Sequence, residues 1–120
     1  MKVVVVDAAH LPGAVDFPML DMDRFGWEQY PQLEGEALRE RCWRADVVVS
    51  LATPLTAADL EAMFKLRLVL VAGELPVDDE AAAARGIELV RLAGVDWARP
   101  DQAAVFCRDV VQAIEARLRG

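Results

Sequence analysis

Two residues that could do acid–base chemistry lie close together near the N-terminus. Asp7 and His10 follow an apolar run in the segment "VVVVDAAH", and His10 is the only histidine of the chain. A positioned histidine can act as a general base, and an aspartate at this place can orient a ligand. No carboxylate partner for His10 is evident in the sequence. We therefore interpret His10 as an ordinary loop residue and Asp7 as a cap of the following turn, with ligand binding as the alternative for both.

A second candidate site lies in the segment "LVLVAGELPVDDEAAAARGIELV", residues 68–90. Its pattern indicates a buried strand, a turn, a short helix led by acidic residues, and another strand. The turn contains Gly73 and Glu74, and it comes where an α/β protein usually holds a ligand. Glu74 is either a group that selects a ligand or a solvated turn residue, so both residues are candidate ligand contacts.

Several known phosphate and nucleotide motifs are absent from the sequence. A phosphorylated receiver domain needs an acidic pair after its first strand, an acceptor aspartate after its third and a lysine after its fifth, whereas Asp7 stands alone here. The segment "DAAHLPG" lacks the serines, threonines and glycines of a flavin phosphate loop. Neither G-x-G-x-x-G nor G-x-x-x-x-G-K-[ST] occurs, so the sequence predicts no nucleotide cofactor.

The elements that would position these residues alternate along the chain. Apolar runs predict strands at 3–6, 26–30, 46–50, 68–71 and 87–90. Helices are predicted at 17–23, at 35–44, after the caps Thr56 and Asp78, and from Pro100 to Leu118. Trp43, near the end of the second helix, is expected to pack on the core.

This alternation predicts one α/β domain over residues 1–120, with a flavodoxin-like open parallel sheet of five strands and helices on both faces. Right-handed crossovers and short connections favour the strand order 2-1-3-4-5. Ligands in such folds bind beyond the carboxyl ends of the strands. That edge would bring together residues 7–10, 50–53 and 72–74.

Composition excludes some partners and ligands. The chain has 20 acidic and 13 basic side chains and a net charge of −7, which disfavours nucleic acid and anionic lipid. Cys42 and Cys107 form no C-x-x-C or Cys/His cluster, so we expect buried free thiols, no disulfide and no metal. The segment "MKVVVVDAAH" is too short for the apolar region and cleavage site of a signal peptide, and no apolar run is long enough for a membrane span, so a soluble, cytoplasmic protein is expected.

The segments "ATPLTAADLEAM" and "AAAARGIELV" resemble the substrate-binding domain of the D-isomer-specific 2-hydroxyacid dehydrogenases. The start "MKVVVVDAAHLPG" and the last helix resemble it more loosely. The resemblance implies that Thr53 lines the substrate cleft, although a threonine before a proline is equally an ordinary residue ahead of a helix. It also implies a substrate loop with two glycines. Gly73 matches the first, and Leu75 or Glu74 stands at the second, which would hinder close backbone approach.

The family's glycine fingerprint and catalytic arginine, glutamate and histidine belong to its nucleotide-binding domain, and no residue here matches them. We therefore expect a catalytically inactive relative that acts as a small-ligand-binding, regulatory or interaction module. The alternative is the substrate-binding component of a split dehydrogenase of the glycerate or phosphoglycerate type, completed by a separate NAD-binding subunit.

The helix from Pro100 to Leu118 carries apolar residues around more of its circumference than one sheet face can cover. We expect a homodimer with Phe106 and Val110 at the interface. The alternative is a helix buried more deeply in its own domain.

Overall fold

Five short strands, each an apolar or half-apolar run, lie at the centre of the protein. The computed structural model describes residues 1–119. The strands are β1 (Lys2–Val5), β2 (Gly26–Gln29), β3 (Val47–Ser50), β4 (Leu68–Ala72) and β5 (Glu88–Leu92). All neighbouring pairs are parallel, and the order across the sheet is β2-β1-β3-β4-β5. The predicted fold class, a flavodoxin-like parallel sheet with this order, is confirmed.

The helices are α1 (Gly35–Cys42), α2 (Ala57–Ala62), α3 (Asp79–Ala84) and α4 (Pro100–Leu118). Successive residues of a strand point to opposite faces, so each apolar run supplies two cores. Val4, Val48 and Val69 lie in register and pack with the buried side chains of α1, α2 and α3. Their neighbours Val3, Val47 and Leu68 face the other side and pack with α4. The sheet is therefore covered on both faces.

The two predicted helix caps, Thr56 and Asp78, are confirmed by their hydrogen bonds. Thr56 accepts the amide of Asp59, and the Asp59 carboxylate accepts the amide of Thr56, so both members of the capping box are formed. The Asp78 carboxylate accepts the amide of Ala81 at the start of α3. Because parallel strands and their following helices alternate in direction, these N-termini lie at the carboxyl edge of the sheet.

The predicted helix at 17–23 is wrong, because that segment has no regular secondary structure. Pro18 disfavours the helical conformation of the residue before it, and a run this short does not repay the cost of helix nucleation. The backbone is instead held by α4. The amide of Asp21 donates to the Glu115 carboxylate at 2.7 Å, and the Arg119 guanidinium donates to the Asp21 carbonyl oxygen. Leu20 is buried against the core, so the segment covers the sheet beside α4 without being helical.

The expected packing of Trp43 on the core is wrong. Trp43 follows α1 and is 48% exposed.

Among the helices of residues 1–119, none combines the length and the hydropathy needed to cross a membrane.

Candidate functional site

The carboxyl ends of β1, β3 and β4 bring most of the predicted site residues to one edge. Asp7 lies two residues after the end of β1, and Thr53 lies in the loop between β3 and α2. Gly73 and Glu74 form the turn after β4. Asp7 and Thr53 are in direct contact, whereas Gly73 makes contacts of its own with the end of β5.

The Asp7 carboxylate is fully buried and accepts three hydrogen bonds from the loop after β3. Its Oδ1 accepts the amide of Leu51 at 2.8 Å, and its Oδ2 accepts the amide of Ala52 at 2.8 Å and the hydroxyl of Thr53 at 2.7 Å. A carboxylate has about four acceptor positions, so most of its capacity is used inside the protein. Asp7 therefore fixes the β3–α2 loop, and the sequence alone does not show this because the partners lie far along the chain.

Thr53 links this carboxylate to two neighbouring segments. Its hydroxyl donates to Asp7 and accepts a hydrogen bond from the Gln32 amide nitrogen at 2.8 Å. Its backbone amide donates to the Ser50 hydroxyl at 3.1 Å, and Ser50 donates in turn to the Thr53 carbonyl oxygen at 2.7 Å. Gln32 was not predicted as a site residue. Its position between β2 and α1 is the one signal that could have indicated it, because that loop also ends at the carboxyl edge.

The turn after β4 is held closed by backbone contacts. Gly73 has the left-handed φ of +56°, and a Cβ at this position would lie 3.1 Å from the Cα of Gly94. Its amide donates to the Leu92 carbonyl oxygen at 2.8 Å. The Arg91 guanidinium donates to the carbonyl oxygens of Gly73 and Leu75 at 3.0 and 2.7 Å. The glycine thus permits a close approach of two loops, and its amide already has a partner.

Glu74 and His10 are both exposed at this edge. His10 ends a 3-10 turn, Ala8–His10, and its backbone amide donates to the Asp7 carbonyl oxygen at 3.2 Å. Within residues 1–119 the imidazole forms no hydrogen bond and no ion pair with a carboxylate. The structure does not join His10 to the Asp7 carboxylate as a catalytic pair.

A groove lies next to Thr53, between the N-termini of α1 and α2. Its volume is about 340 Å³, and we call it the Thr53 groove. The lining residues are Glu34, Gly35, Leu38, Arg39, Thr53, Pro54, Thr56 and Asp59. Its one guanidinium is already paired, because Arg39 donates to the nearly buried Asp59 carboxylate at 3.0 Å. The exposed Glu34 side chain makes no capping hydrogen bond to α1.

The two thiols are not available as nucleophiles. Cys42 and Cys107 are buried and free, as the sequence indicated, and burial raises the pKa of each thiol to about 12. The thiolate is the reactive form of cysteine, so neither residue is reactive at neutral pH. In the described part of the chain, residues 1–119, no group of three or more histidine, cysteine or carboxylate side chains is arranged to hold a metal.

Phe106 and Val110, which were expected at a dimer interface because of the surplus apolar surface of the last helix, are not surface residues. Phe106 is 2% exposed and Val110 is fully buried, both within the core shared by α4 and the sheet. Trp97 covers Phe106 edge-on, with ring centroids 5.3 Å apart. The surplus apolar circumference of α4 is covered by Trp97 and by the irregular segment before β2. Of the large apolar side chains of α4, Val105 is the exposed one, at 43%.

Comparisons with known proteins show the fold. No protein-family model matches the sequence, and a search of curated proteins gives no match either. Among solved structures, the chain is similar to the apo-structure of D-lactate dehydrogenase from Escherichia coli, with 21% identity and a TM-score of 0.58 over 80% of this chain and 32% of that one. It is also similar to the pyruvate reductase of Chlamydomonas reinhardtii, with 17% identity and a TM-score of 0.58 over 79% of this chain and 30% of that one.

A third similar structure is the NAD-dependent formate dehydrogenase from Staphylococcus aureus in complex with NAD. It shares 19% identity and a TM-score of 0.54 over 79% of this chain and 32% of that chain. This chain therefore spans about a third of the length of the solved structures that it matches. The similarity agrees with the dehydrogenase-like domain that the sequence resembles, at the level of the fold.

Proposed function

We propose that this chain is a binding module that supplies no reacting group of its own, related to the substrate-binding domain of the 2-hydroxyacid dehydrogenases. The observation that supports this is that the hydrogen bonds of the Asp7 carboxylate are made within the protein itself. Its carboxylate is buried and accepts three hydrogen bonds from its own protein, so it is not free to take a proton from a substrate. The remaining candidate base, His10, is exposed and lacks an orienting carboxylate.

The ligand in this proposal is a small polar molecule bound in the Thr53 groove. The groove offers the side chain of Glu34, the paired Arg39–Asp59 side chains and an apolar floor that includes Leu38. Its volume of about 340 Å³ is at the lower end of the range for small-molecule sites. A regulatory or interaction role would then follow from binding alone.

The first test of this proposal is an absorbance assay of nicotinamide oxidation and reduction with 2-oxo and 2-hydroxy acids. We expect no saturable turnover by the purified chain, and calorimetry should show no NAD binding in the low micromolar range, because no glycine-rich turn presents a helix N-terminus to a pyrophosphate. Turnover that disappears on His10→Ala would refute the proposal.

The second test concerns the groove. A thermal-shift screen of small polar molecules, with amines and amides as well as hydroxy and oxo acids, should give hits whose binding is lost in Glu34→Trp, which fills the groove. The matched control is Glu36→Trp, an exposed glutamate of the same helix turn that does not line it. Hits that bind both variants equally would place the ligand elsewhere.

An alternative function is the substrate-binding component of a split dehydrogenase. The observation in its favour is that the similar structures are described as dehydrogenases and reductases, of which this chain spans about a third. It requires a separate polypeptide carrying G-x-G-x-x-G with catalytic arginine, glutamate and histidine. Turnover that appears only when the product of a neighbouring reading frame of this type is added would favour it over the inactive module.

A homodimer stays part of the proposal, with its interface moved to the exposed side of α4 around Val105. Light scattering after size exclusion tests it. We expect a dimer that Val105→Glu converts into a monomer, whereas Arg108→Glu on the same helix gives a weaker effect. A monomeric wild type at high micromolar concentration would exclude it.

A further inference from the structure

The amino edge of the sheet, opposite the candidate site, carries two exposed aromatic side chains. Trp43 follows α1 and Phe64 follows α2, so both lie where the chain returns to start a strand. Trp43 is 48% exposed and Phe64 is 59% exposed. Their ring centroids are 5.7 Å apart with an interplanar angle of 35°, so the two rings form one continuous apolar surface. Exposed apolar patches are a mark of interaction sites.

The packing of the helices does not require these two rings. α1 is anchored by Leu38 and Cys42, and α2 is anchored by Leu60 with Met63 directly after it, and all four are fully buried. Trp43 and Phe64 project beyond this core and contact each other. Tryptophan is also among the side chains enriched at the energetic centre of protein interfaces. The pair is better explained by a binding partner than by the stability of the fold.

Basic residues flank the aromatic pair in sequence. Arg44, Lys65 and Arg67 are exposed and lie within three residues of the two rings in sequence. Within residues 1–119 none of the three forms an ion pair with a carboxylate. The guanidinium carbon of Arg44 lies 5.3 Å from the centroid of the Trp43 ring, which is a cation–π distance. This local charge is opposite in sign to the net charge of −7 of the chain.

Carboxylates near this edge offset part of that charge. Glu40 and Glu61 are exposed and lie three residues before Trp43 and Phe64, as close in sequence as Arg67 is to Phe64. With Arg41 included, the exposed side chains within three residues of the rings are four basic and two acidic ones, so a positive excess remains. Asp46 lies at the edge itself, where its nearly buried carboxylate accepts the amide of Lys2 at 2.8 Å. The surface beside the rings therefore presents cations that have no partner in the chain.

We propose that the aromatic–basic patch, formed by Trp43, Arg44, Phe64, Lys65 and Arg67, binds an acidic segment of a partner protein. An apolar side chain of that segment covers the two rings, and its carboxylates pair with the guanidinium and ammonium groups. Arginine can bind a carboxylate through two parallel hydrogen bonds, which gives such a contact its direction. A protein partner is favoured over nucleic acid because three cations neutralise few phosphates, and the negative charge of the rest of the chain repels a long polyanion.

The experiment begins with a display library of random dodecapeptides, selected on the intact wild-type chain. Binders that also bind a Trp43→Ala/Phe64→Ala double variant are removed. We expect the remaining peptides to be rich in aspartate and glutamate and to contain an aromatic or large aliphatic residue. A labelled peptide from this set is then titrated by fluorescence anisotropy.

The double aromatic variant and an Arg44→Glu/Lys65→Glu variant should each bind that peptide at least about tenfold more weakly. Two control variants should leave the affinity unchanged. Met19→Ala removes the most exposed large apolar side chain, and Arg108→Glu reverses a charge on α4, and both lie on the other face of the sheet. Circular dichroism confirms that all variants are folded.

Other outcomes overturn the proposal. Selected peptides without an acidic bias, or an affinity that neither pair of substitutions lowers, would exclude an acidic partner at this patch. A single-stranded oligonucleotide that binds more tightly and displaces the peptide would assign the patch to nucleic acid. A wild-type dimer in light scattering that the double aromatic variant converts to monomer would assign it to a second copy of the chain.

Discussion

The buried Asp7 carboxylate gives the sharpest test of the site geometry, through the substitution Asp7→Asn. The variant keeps the shape of the side chain but replaces one acceptor oxygen by a donor nitrogen. If the amide oxygen takes the place of Oδ2, it can still accept the amide of Ala52 and the hydroxyl of Thr53. The nitrogen then faces the amide of Leu51, which is a donor as well. The opposite orientation loses two bonds instead of one, so it is worse.

The expected magnitude follows from these contacts. A buried donor without a partner costs about 1–3 kcal/mol. Each of the two retained bonds changes from a charged to a neutral acceptor and loses about 1 kcal/mol. Release of a buried charge offsets part of this. We expect Asp7→Asn to lower the free energy of unfolding by about 2–4 kcal/mol, which a domain stable by about 5–15 kcal/mol tolerates.

Asp46→Asn is the matched control. The Asp46 carboxylate is also nearly buried, but its one hydrogen bond with a backbone amide comes from Lys2, and an asparagine oxygen can accept it. Its cost should stay below about 1 kcal/mol.

The measurement is urea unfolding followed by circular dichroism, with all proteins at one pH and one salt concentration. With a denaturant slope of about 2 kcal/mol per molar urea, in the middle of the usual range, the midpoint of Asp7→Asn should fall by about 1–2 M. If the two asparagine variants lose the same stability, or if Asp7→Asn is more stable than wild type, the Asp7 network does not hold the β3–α2 loop and the reasoning is refuted.

Three further predictions concern other parts of the chain. Gly73→Ala should cost about 1–3 kcal/mol in urea unfolding, because of its positive φ and the 3.1 Å approach to the neighbouring loop, whereas Gly13→Ala, which meets nothing within 4 Å, should be nearly neutral. The Tyr30 hydroxyl donates to Glu28 and lowers the pKa of that carboxyl, so this stabilisation is present above the unfolded-state pKa and is lost as the pH falls through the folded-state pKa. The difference in unfolding free energy between wild type and Glu28→Gln should therefore shrink in acid. A difference that stays constant with pH would contradict this prediction. The two buried cysteines should be unreactive towards a thiol reagent in the native protein and should both react in urea, and a fast native reaction would show that the thiols are accessible.

Much of the fold could be predicted from local sequence patterns. Runs such as Val3 to Val6 have no polar face and so must be covered on both sides, which indicates a central parallel strand. Thr56 and Asp59, three residues apart, mark a helix start because their hydrogen bonds are local. The segment at 17–23 misled for a related reason: its apolar residues do pack on the core, but proline and the long-range bonds to Glu115 and Arg119 hold it in an irregular conformation.

The position of the candidate site could be predicted from the sequence, but its hydrogen-bond partners could not. The sequence located Asp7, Thr53 and Gly73 at the carboxyl edge, since each follows a strand that the apolar pattern identifies. It could not show that the Asp7 carboxylate has its capacity taken by Leu51, Ala52 and Thr53, which lie 44 to 46 residues away.

What the sequence determined by itself was the set of strands, the starts of the capped helices, and thereby the order of the sheet, because these depend on neighbouring residues and on the chirality of short connections. The tertiary structure decided what covers each apolar face and which partner each polar group receives. The apolar stripe of α4 predicts that Phe106 avoids water, but it does not distinguish a second chain from Trp97 and the irregular segment of the same chain, which in fact cover this face of the helix. Likewise, only the structure shows why position 73 requires a glycine, because its φ is positive and Gly94 approaches it closely. The type of a residue predicts whether its side chain must be buried or hydrogen-bonded, whereas long-range packing alone determines which group covers it or bonds to it.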